Sequence, residues 1–206
     1  MEFHEEWDAV GGTELDKNLI ATKEFEKEQY FNMSGIQSAN TLLSLLYPFY
    51  KQDLHTKVIL ELGCGIGRVT RYIADVFDKV IAVDVSKNMV DKAKNRVSGN
   101  IDWIVCDGKT LDVADNSVDI FYSYIVLQHC PQEFVRSYFK EAQRVLKSGG
   151  LFVFQLHTGL VHTEPATYCS YSHWTVSEIK EELKDMEEIK FVDCGEGMDL
   201  NIFKKK

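Results

Sequence analysis

The chain has 206 residues, of which 45% are hydrophobic, and a formal net charge of −9. This length and hydrophobic content are sufficient for one domain of ordinary size with a sizeable core. Its positive residues are dispersed apart from three C-terminal lysines, so no basic face for nucleic acid is expected. It has no run of roughly 18 apolar residues, and its acidic start is unlike a secretory signal. These features predict a cytoplasmic globular protein without nucleic-acid or membrane partners.

The cysteines are five in number and form no CxxC pair. An odd count at wide spacing favours reduced thiols over a disulfide framework or a zinc site. Most of them are predicted to be small buried hydrophobes. They are Cys64, Cys106, Cys130, Cys169 and Cys194.

Residues 1–52 are predicted to form an N-terminal helical cap. Apolar residues recur at helical spacing from Ile36 to Tyr47, and several aromatic residues precede them, among them Trp7, Phe25 and Phe31. Two interpretations stay open: a packed cap on a sheet, or a lid that closes over the mouth of a cofactor and substrate site.

Residues 53–206 alternate between strand and helix patterns. The predicted strands cover 58–62, 80–83, 101–106, 118–126, 151–156, 189–193 and 198–203. The predicted helices cover 69–77, 86–97 and 132–147. A further helix is predicted to begin at Thr175, which forms a capping box with Glu178. The short connection between the last two strands makes them antiparallel. The sequence thus predicts one domain, 1–206, with a Rossmann-like, doubly wound α/β core. Its sheet is seven-stranded and mostly parallel, with an antiparallel C-terminal strand.

The stretch VILELGCGIGRVTRYIA reads as a buried strand, a glycine-rich turn and a helix. Its glycines, Gly63, Gly65 and Gly67, allow the backbone to approach a ligand closely. Arg68 stands where a dinucleotide fingerprint would have its third glycine, and this argues against an NAD oxidoreductase.

Two acidic residues follow the next predicted strands. Asp84 comes about twenty residues after the first glycine, where a carboxylate accepts hydrogen bonds from both ribose hydroxyls and would repel the 2′-phosphate of NADP. Asp107 and Gly108 end the third strand, where an adenine edge would lie. Together they imply an adenosine ligand.

The ordered motifs ELGCGIG, VIAVDVS, VCDG, SYIVLQHCP and RVLKSGGLFVFQL resemble those of class I S-adenosylmethionine-dependent methyltransferases, specifically the small-molecule group, over half of the chain. The resemblance implies S-adenosylmethionine as cofactor and S-adenosylhomocysteine as product. It implies that the glycine loop contacts the methionine part, Asp84 the ribose, and Asp107 with the Gly108 backbone the adenine. It also implies that Val85 and Met89 lie on either side of the adenine.

The sequence leaves two interpretations open for each of Arg68 and Glu61. GIGR is also similar to the loop of α-N-terminal protein methyltransferases, which implies that Arg68 pairs with the cofactor's carboxylate through a bidentate contact. The alternative is a surface arginine. Glu61 either orders the loop or holds the cofactor's ammonium group through water.

Histidines near the ends of the fourth and fifth strands are candidate general bases. A base is optional for methyl transfer, since positioning of donor and acceptor can itself supply roughly 7–11 kcal/mol. His129 and His157 are the candidates, with loop ordering as the alternative for His129. Tyr124 is a predicted cofactor contact, and Gln128 lies on the same loop.

No metal site is predicted, because His157, His162 and His173 match no established ligand spacing. The predicted function is in-line methyl transfer from S-adenosylmethionine to a small-molecule acceptor. Two alternatives stay open: a protein N-terminal amine methyltransferase and a non-catalytic S-adenosylmethionine-binding regulator. The acceptor, the methylated atom and the oligomeric state are not indicated by the sequence.

Overall fold

The structure is a computed structural model that describes residues 3–12, 28–158, 172, 174–193 and 198–206. It divides the chain into two compact units, Met1–Cys106 and Asp107–Lys206. The prediction of a single domain, 1–206, stays a prediction. Phe25, Cys169, Cys194, His162 and His173 lie outside the described residues.

Within the described residues of the first unit, two helices near the N-terminus precede alternating strands and helices. In chain order they are α1 (Phe3–Gly11), α2 (Glu28–Tyr50), a 3-10 turn (Asp53–Thr56), β1 (Val58–Leu62), α3 (Thr70–Ile73), β2 (Lys79–Asp84), α4 (Lys87–Arg96) and β3 (Ile101–Val105). Strand β2 pairs in parallel with both β1 and β3. Side chains of β1 and β2 are almost all buried, as expected for parallel strands covered on both faces. The glycine loop and Asp84 therefore follow adjacent parallel strands at the same edge.

Helix α4 is the contact point for both N-terminal helices. Ser86 caps its start by accepting a hydrogen bond from the Met89 N–H, as the predicted helix start requires. The Asp8 carboxylate of α1 accepts hydrogen bonds from the Ser86 hydroxyl (3.0 Å) and the Asn88 N–H (2.9 Å). Glu28 of α2 forms an ion pair with Arg96 at the other end of α4. An N-terminal helical segment packed on the core is thus present, while its action as a lid stays a prediction.

The second unit contains the remaining described strands and helices. They are β4 (Val118–Ser123), a 3-10 turn (Leu127–His129), α5 (Gln132–Val145), β5 (Leu146–His157), α6 (Val176–Glu182), β6 (Met186–Asp193) and β7 (Met198–Lys205). Strand β5 pairs in parallel with β4 and antiparallel with β7, which pairs antiparallel with β6. The capping box of Thr175 and Glu178 is present as predicted. The predicted fold class, a seven-stranded, mostly parallel α/β fold with an antiparallel C-terminal strand, is confirmed.

Besides the start of β6, which lies at Met186 and not at residue 189, two predicted boundaries in this unit are wrong. The helix predicted over 132–147 ends at Val145, because Leu146 is extended and pairs with Val118, so β5 begins five residues earlier than predicted. The strand predicted to reach residue 126 ends at Ser123, because Ile125 has a positive φ of 58°. Pairing with a neighbouring strand decided the first boundary, and a local turn decided the second.

The core of the second unit is strongly aromatic. Phe139 of α5 packs against the rings of Phe152 and Phe154 in β5 and against Trp174, with centroid separations from 5.2 to 5.8 Å. All four side chains are fully buried. Aromatic rings in tilted and edge-on contact supply a large apolar area and fix the position of α5 on the sheet. Among the described helices, none is long and apolar enough to cross a bilayer.

Candidate cofactor site

The glycine loop has a backbone that only glycine adopts readily. Gly63, Gly65 and Gly67 have φ values of 76°, 52° and 83°. The N–H groups of Gly63 and Cys64 both donate to the carbonyl of Val83, at 2.7 and 3.0 Å. The GxGxG spacing therefore corresponds to a tight turn fastened to the end of β2.

Asp84 connects this turn to the start of α4. Its Oδ2 accepts a hydrogen bond from the Gly65 N–H (2.8 Å), and its Oδ1 accepts one from the Ser86 N–H (2.9 Å). Burial raises the pKa of Asp84, although the two N–H donors oppose the shift. Each carboxylate oxygen has a second lone pair, so this group can still accept hydrogen bonds from a ribose diol.

Glu61 is a buried carboxyl beneath the loop. Its side chain is 4% exposed, and Oε2 accepts a 2.6 Å hydrogen bond from the Thr70 hydroxyl. Burial raises the pKa of Glu61 to about 7, and this value is reached although the Thr70 hydrogen bond and the charge of Arg68 lower it. The contact with Thr70 supports loop ordering, and a carboxyl that titrates near neutral pH can also ionise next to a bound cation. Both roles stay predictions.

Arg68 lies in the interior of the first unit. It is 6% exposed, and its Nη1 donates to the Ser38 hydroxyl of α2 at 2.9 Å and to the Ser34 hydroxyl at 3.5 Å. The alternative of a surface arginine is therefore wrong. Ser34 and Ser38 are four residues apart and share one face of α2, and this spacing is the only local signal for the pair. Pairing of Arg68 with a cofactor carboxylate stays a prediction.

Close approach of α2 to the loop depends on Gly35. A Cβ at this position would overlap the Arg68 carbonyl oxygen and lie 2.8 Å from the Tyr72 ring. We expect Gly35→Ala to lower the free energy of unfolding by about 2 kcal/mol, because the cost of overpacking against backbone exceeds the roughly 1 kcal/mol gain in helix propensity. Chemical denaturation measures this. Gln37→Ala, at an exposed position of the same helix, is the control and should change stability by less than about 0.5 kcal/mol; equal effects would contradict the packing argument.

An apolar cluster covers one side of the loop. Phe31, Ile66 and Met89 are buried together, and Val10 of α1 packs against them. Met89, predicted to contact adenine, is 2% exposed and lies in this cluster, whereas Val85 is half-buried. The roles of Val85 and Met89 at the adenine stay predictions. The periodicity of the N-terminal segment gave no sign that Val10 and Asp8 would reach α4, since long-range contacts leave no local pattern.

Asp107 organises the turn that follows β3. Its Oδ1 accepts hydrogen bonds from the Lys109 and Thr110 N–H groups, and its Oδ2 accepts one from the Thr110 hydroxyl. These donors lower the pKa of Asp107. Gly108 has a φ of 85°. Asp107 is therefore an ionised acceptor in a glycine-dependent turn, and its predicted contact with adenine stays a prediction.

The other predicted residues of the second unit lie near the ends of β4 and β5. Tyr124 is half-buried, and its ring stacks on Tyr122 with 6.2 Å between centroids. His129 is half-buried at the end of the 3-10 turn, which contacts β5. His157 is the last residue of β5 and is 5% exposed. Catalytic roles for both histidines stay predictions.

Three of the five cysteines lie within the described residues. Cys64, Cys106 and Cys130 are buried and form no disulfide within the described residues, as predicted for small hydrophobes. Within the described ranges, no group of three His, Cys, Asp or Glu side chains is arranged to hold a metal ion.

Comparison with known proteins identifies related sequences. A family model described as a methyltransferase domain matches residues 60–154. The chain is 32% identical over 140 residues to the biotin biosynthesis bifunctional protein BioHC of Cellvibrio japonicus, covering 67% of this chain and 27% of that protein. It is 35% identical over 144 residues to malonyl-(acyl-carrier protein) O-methyltransferase of Buchnera aphidicola subsp. Baizongia pistaciae, covering 68% and 55%. The chain thus spans about half or less of the length of these relatives.

Solved structures share the fold. Magnesium protoporphyrin IX methyltransferase from Synechocystis, with bound S-adenosylmethionine, superposes with a TM-score of 0.73 at 14% identity, covering 100% of this chain and 98% of that one. A likeness at this identity establishes the fold alone.

Proposed function

We propose that this chain, which belongs to the class I S-adenosylmethionine-dependent methyltransferases, transfers a methyl group to a small-molecule acceptor. One observation carries the proposal: the Asp84 carboxylate, at the end of β2, is held by N–H groups of the glycine loop and of Ser86. This arrangement places two carboxylate oxygens at a fixed edge of the unit, where a ribose diol would donate to them.

The residues of the first unit fit the chemistry of this cofactor. The cofactor supplies an electrophilic methyl group on a sulfonium. Asp84 would hold the ribose, and the left-handed backbone of Gly63 and Gly65 would allow close approach of the methionine part. Glu61, with its pKa near 7, would ionise when a cationic ammonium binds nearby. Arg68, anchored by Ser38, is proposed to face the carboxylate.

The residues of the second unit are proposed to act in recognition and proton transfer. Following the family resemblance, Asp107 and the Gly108 N–H would contact adenine, and Tyr124 the cofactor. His129 and His157 would accept the proton that leaves a hydroxyl or ammonium acceptor. With a carboxylate acceptor no proton leaves, and positioning alone is sufficient.

The acceptor is proposed to be a small or carrier-linked molecule methylated on oxygen. Support comes from the Buchnera relative, whose name specifies an O-methyltransferase acting on malonyl-(acyl-carrier protein). Methylation of a protein N-terminal amine is supported only by the GIGR stretch and His129, and it remains the alternative acceptor.

Calorimetric titration with S-adenosylmethionine, S-adenosylhomocysteine and NAD tests the cofactor assignment. We expect micromolar binding of both adenosyl ligands and none of NAD. A screen of carboxylates, phenols, amines and an N-terminal peptide with radiolabelled methyl donor then tests the acceptor. Absence of binding by both adenosyl ligands would contradict the proposal, while binding without transfer to any class would favour the non-catalytic regulator.

A further inference from the structure

Ile125 has a backbone conformation that is unfavourable for its side chain. It lies two residues after the end of β4, and its φ of 58° is in the left-handed region. A β-branched residue rarely adopts this region, since its Cβ crowds the backbone. Such a conformation persists only where surrounding contacts enforce it, and it occurs often at functional sites.

Gln155 supplies the enforcing contact. Its side chain is 4% exposed in β5, and its Oε1 accepts a hydrogen bond from the Ile125 N–H at 3.1 Å. The register of β4 with β5 ends at the pair Ser123 and Phe154. Gln155 is the next residue of β5, and its side chain accepts a hydrogen bond at the point where the backbone pairing of β4 with β5 ends. The Ile125 N–H therefore keeps a hydrogen-bond partner although the chain leaves the sheet there.

The turn lies between two residues of the proposed site. Tyr124 directly precedes Ile125, and the 3-10 turn ending at His129 begins two residues later. On the far side of that turn, Ser172 donates its N–H to the Gln128 carbonyl (2.6 Å) and its hydroxyl to the Leu127 carbonyl (3.2 Å). The segment is thus fastened by Ser172 at one end and by Gln155 at the other.

We propose that Gln155 is a positioning residue of the methyl-transfer site. Its carboxamide oxygen holds Ile125 in the left-handed conformation and thereby sets the direction of Tyr124 and of the turn that ends at His129. This inference rests on the proposed function, in which Tyr124 contacts the cofactor. Gln155 is proposed to act through the backbone of Ile125.

Gln155→Met is the direct test, because methionine keeps the length and much of the volume of glutamine but has no carboxamide oxygen to accept the hydrogen bond. We expect an S-adenosylhomocysteine Kd about 10-fold higher by calorimetry, and about 10-fold faster hydrogen exchange in the peptide covering residues 124–130. Gln143→Met is the matched control. Gln143 is a half-buried glutamine of α5 whose side chain donates to the Phe139 carbonyl, and its loss should leave both measurements unchanged.

Restoration by glycine separates positioning from a general loss of packing. Glycine adopts a positive φ without steric cost, so Gln155→Met combined with Ile125→Gly should return the Kd to within about 3-fold of wild type. Faster exchange with an unchanged Kd, or a raised Kd that glycine does not restore, would overturn the positioning role. If the wild-type protein does not bind S-adenosylhomocysteine, the proposed function is contradicted. The hydrogen-exchange rates of the Gln155→Met variant, with and without Ile125→Gly, would still test whether the Gln155 hydrogen bond holds Ile125.

Discussion

Replacement of Asp84 by alanine is expected to weaken S-adenosylhomocysteine binding by about 10²- to 10⁴-fold. The carboxylate would accept two hydrogen bonds from the ribose, each worth roughly 1.5–3 kcal/mol for a charged acceptor, and roughly 1.4 kcal/mol corresponds to a factor of ten in Kd. The same change removes the acceptor for the Gly65 and Ser86 N–H groups, so the loop loses the hydrogen bonds that link it to the start of α4. Calorimetric titration of the purified variant measures the loss.

Two further variants, Asp84→Asn and Asp102→Ala, test whether the loss of affinity is specific to the Asp84 carboxylate. Asparagine keeps one acceptor oxygen and should lose less affinity than alanine. Asp102 lies on the adjacent strand β3, is paired with Lys79 and is more than half exposed, so its removal should leave the Kd unchanged. Circular dichroism and a thermal scan establish that each variant is folded. An Asp84→Ala protein that is folded and binds with wild-type affinity would contradict the proposed ribose contact.

Glu61→Gln is expected to stabilise the protein at alkaline pH and to weaken cofactor binding. Because burial raises the pKa of Glu61 to about 7, the folded state holds this proton more tightly than the unfolded state does. The stability contribution of Glu61 is therefore complete below about pH 4.5 and is lost as the pH rises to about 7. Glutamine cannot ionise, so the variant should gain roughly 3 kcal/mol over wild type between pH 4.5 and pH 8. Urea unfolding of both proteins across this range measures the difference.

Glu141→Gln is the control with the opposite sign. The Arg144 side chain lowers the pKa of Glu141, so that carboxyl stabilises the fold above its ordinary pKa and the variant should lose stability relative to wild type as the pH rises. In parallel, Glu61→Gln should raise the S-adenosylmethionine Kd at pH 8, because a neutral amide cannot compensate the cofactor's ammonium. If the free energy of unfolding of Glu61→Gln differs from that of wild type by the same amount from pH 4.5 to pH 8, the raised pKa of Glu61 is contradicted.

Local sequence patterns predicted the elements of the core. Hydrophobic runs located all seven strands, helical periodicity located the helix that starts at Ser86, and the Thr175 capping box located a second helix start. The GxGxG spacing located the turn with positive φ. These features depend on residues near one another in the chain, because strand burial, capping and glycine conformation are local properties. One predicted boundary was wrong because of pairing with a distant strand, at Leu146, and another because of the positive φ of Ile125.

Patterns along the chain were sufficient to predict the fold class, the family and the positions of the glycine loop and of Asp84. The surroundings of those positions depend on long-range packing. Examples are the burial of Arg68 against Ser38, the near-neutral pKa of Glu61, the attachment of α1 through Asp8, and the hydrogen bond between Gln155 and Ile125. The physical reason is that burial and hydrogen bonding depend on which distant segments become neighbours. A pattern along the chain specifies periodicity and turn conformation, whereas a pKa or a buried polar contact depends on every element that packs around the group.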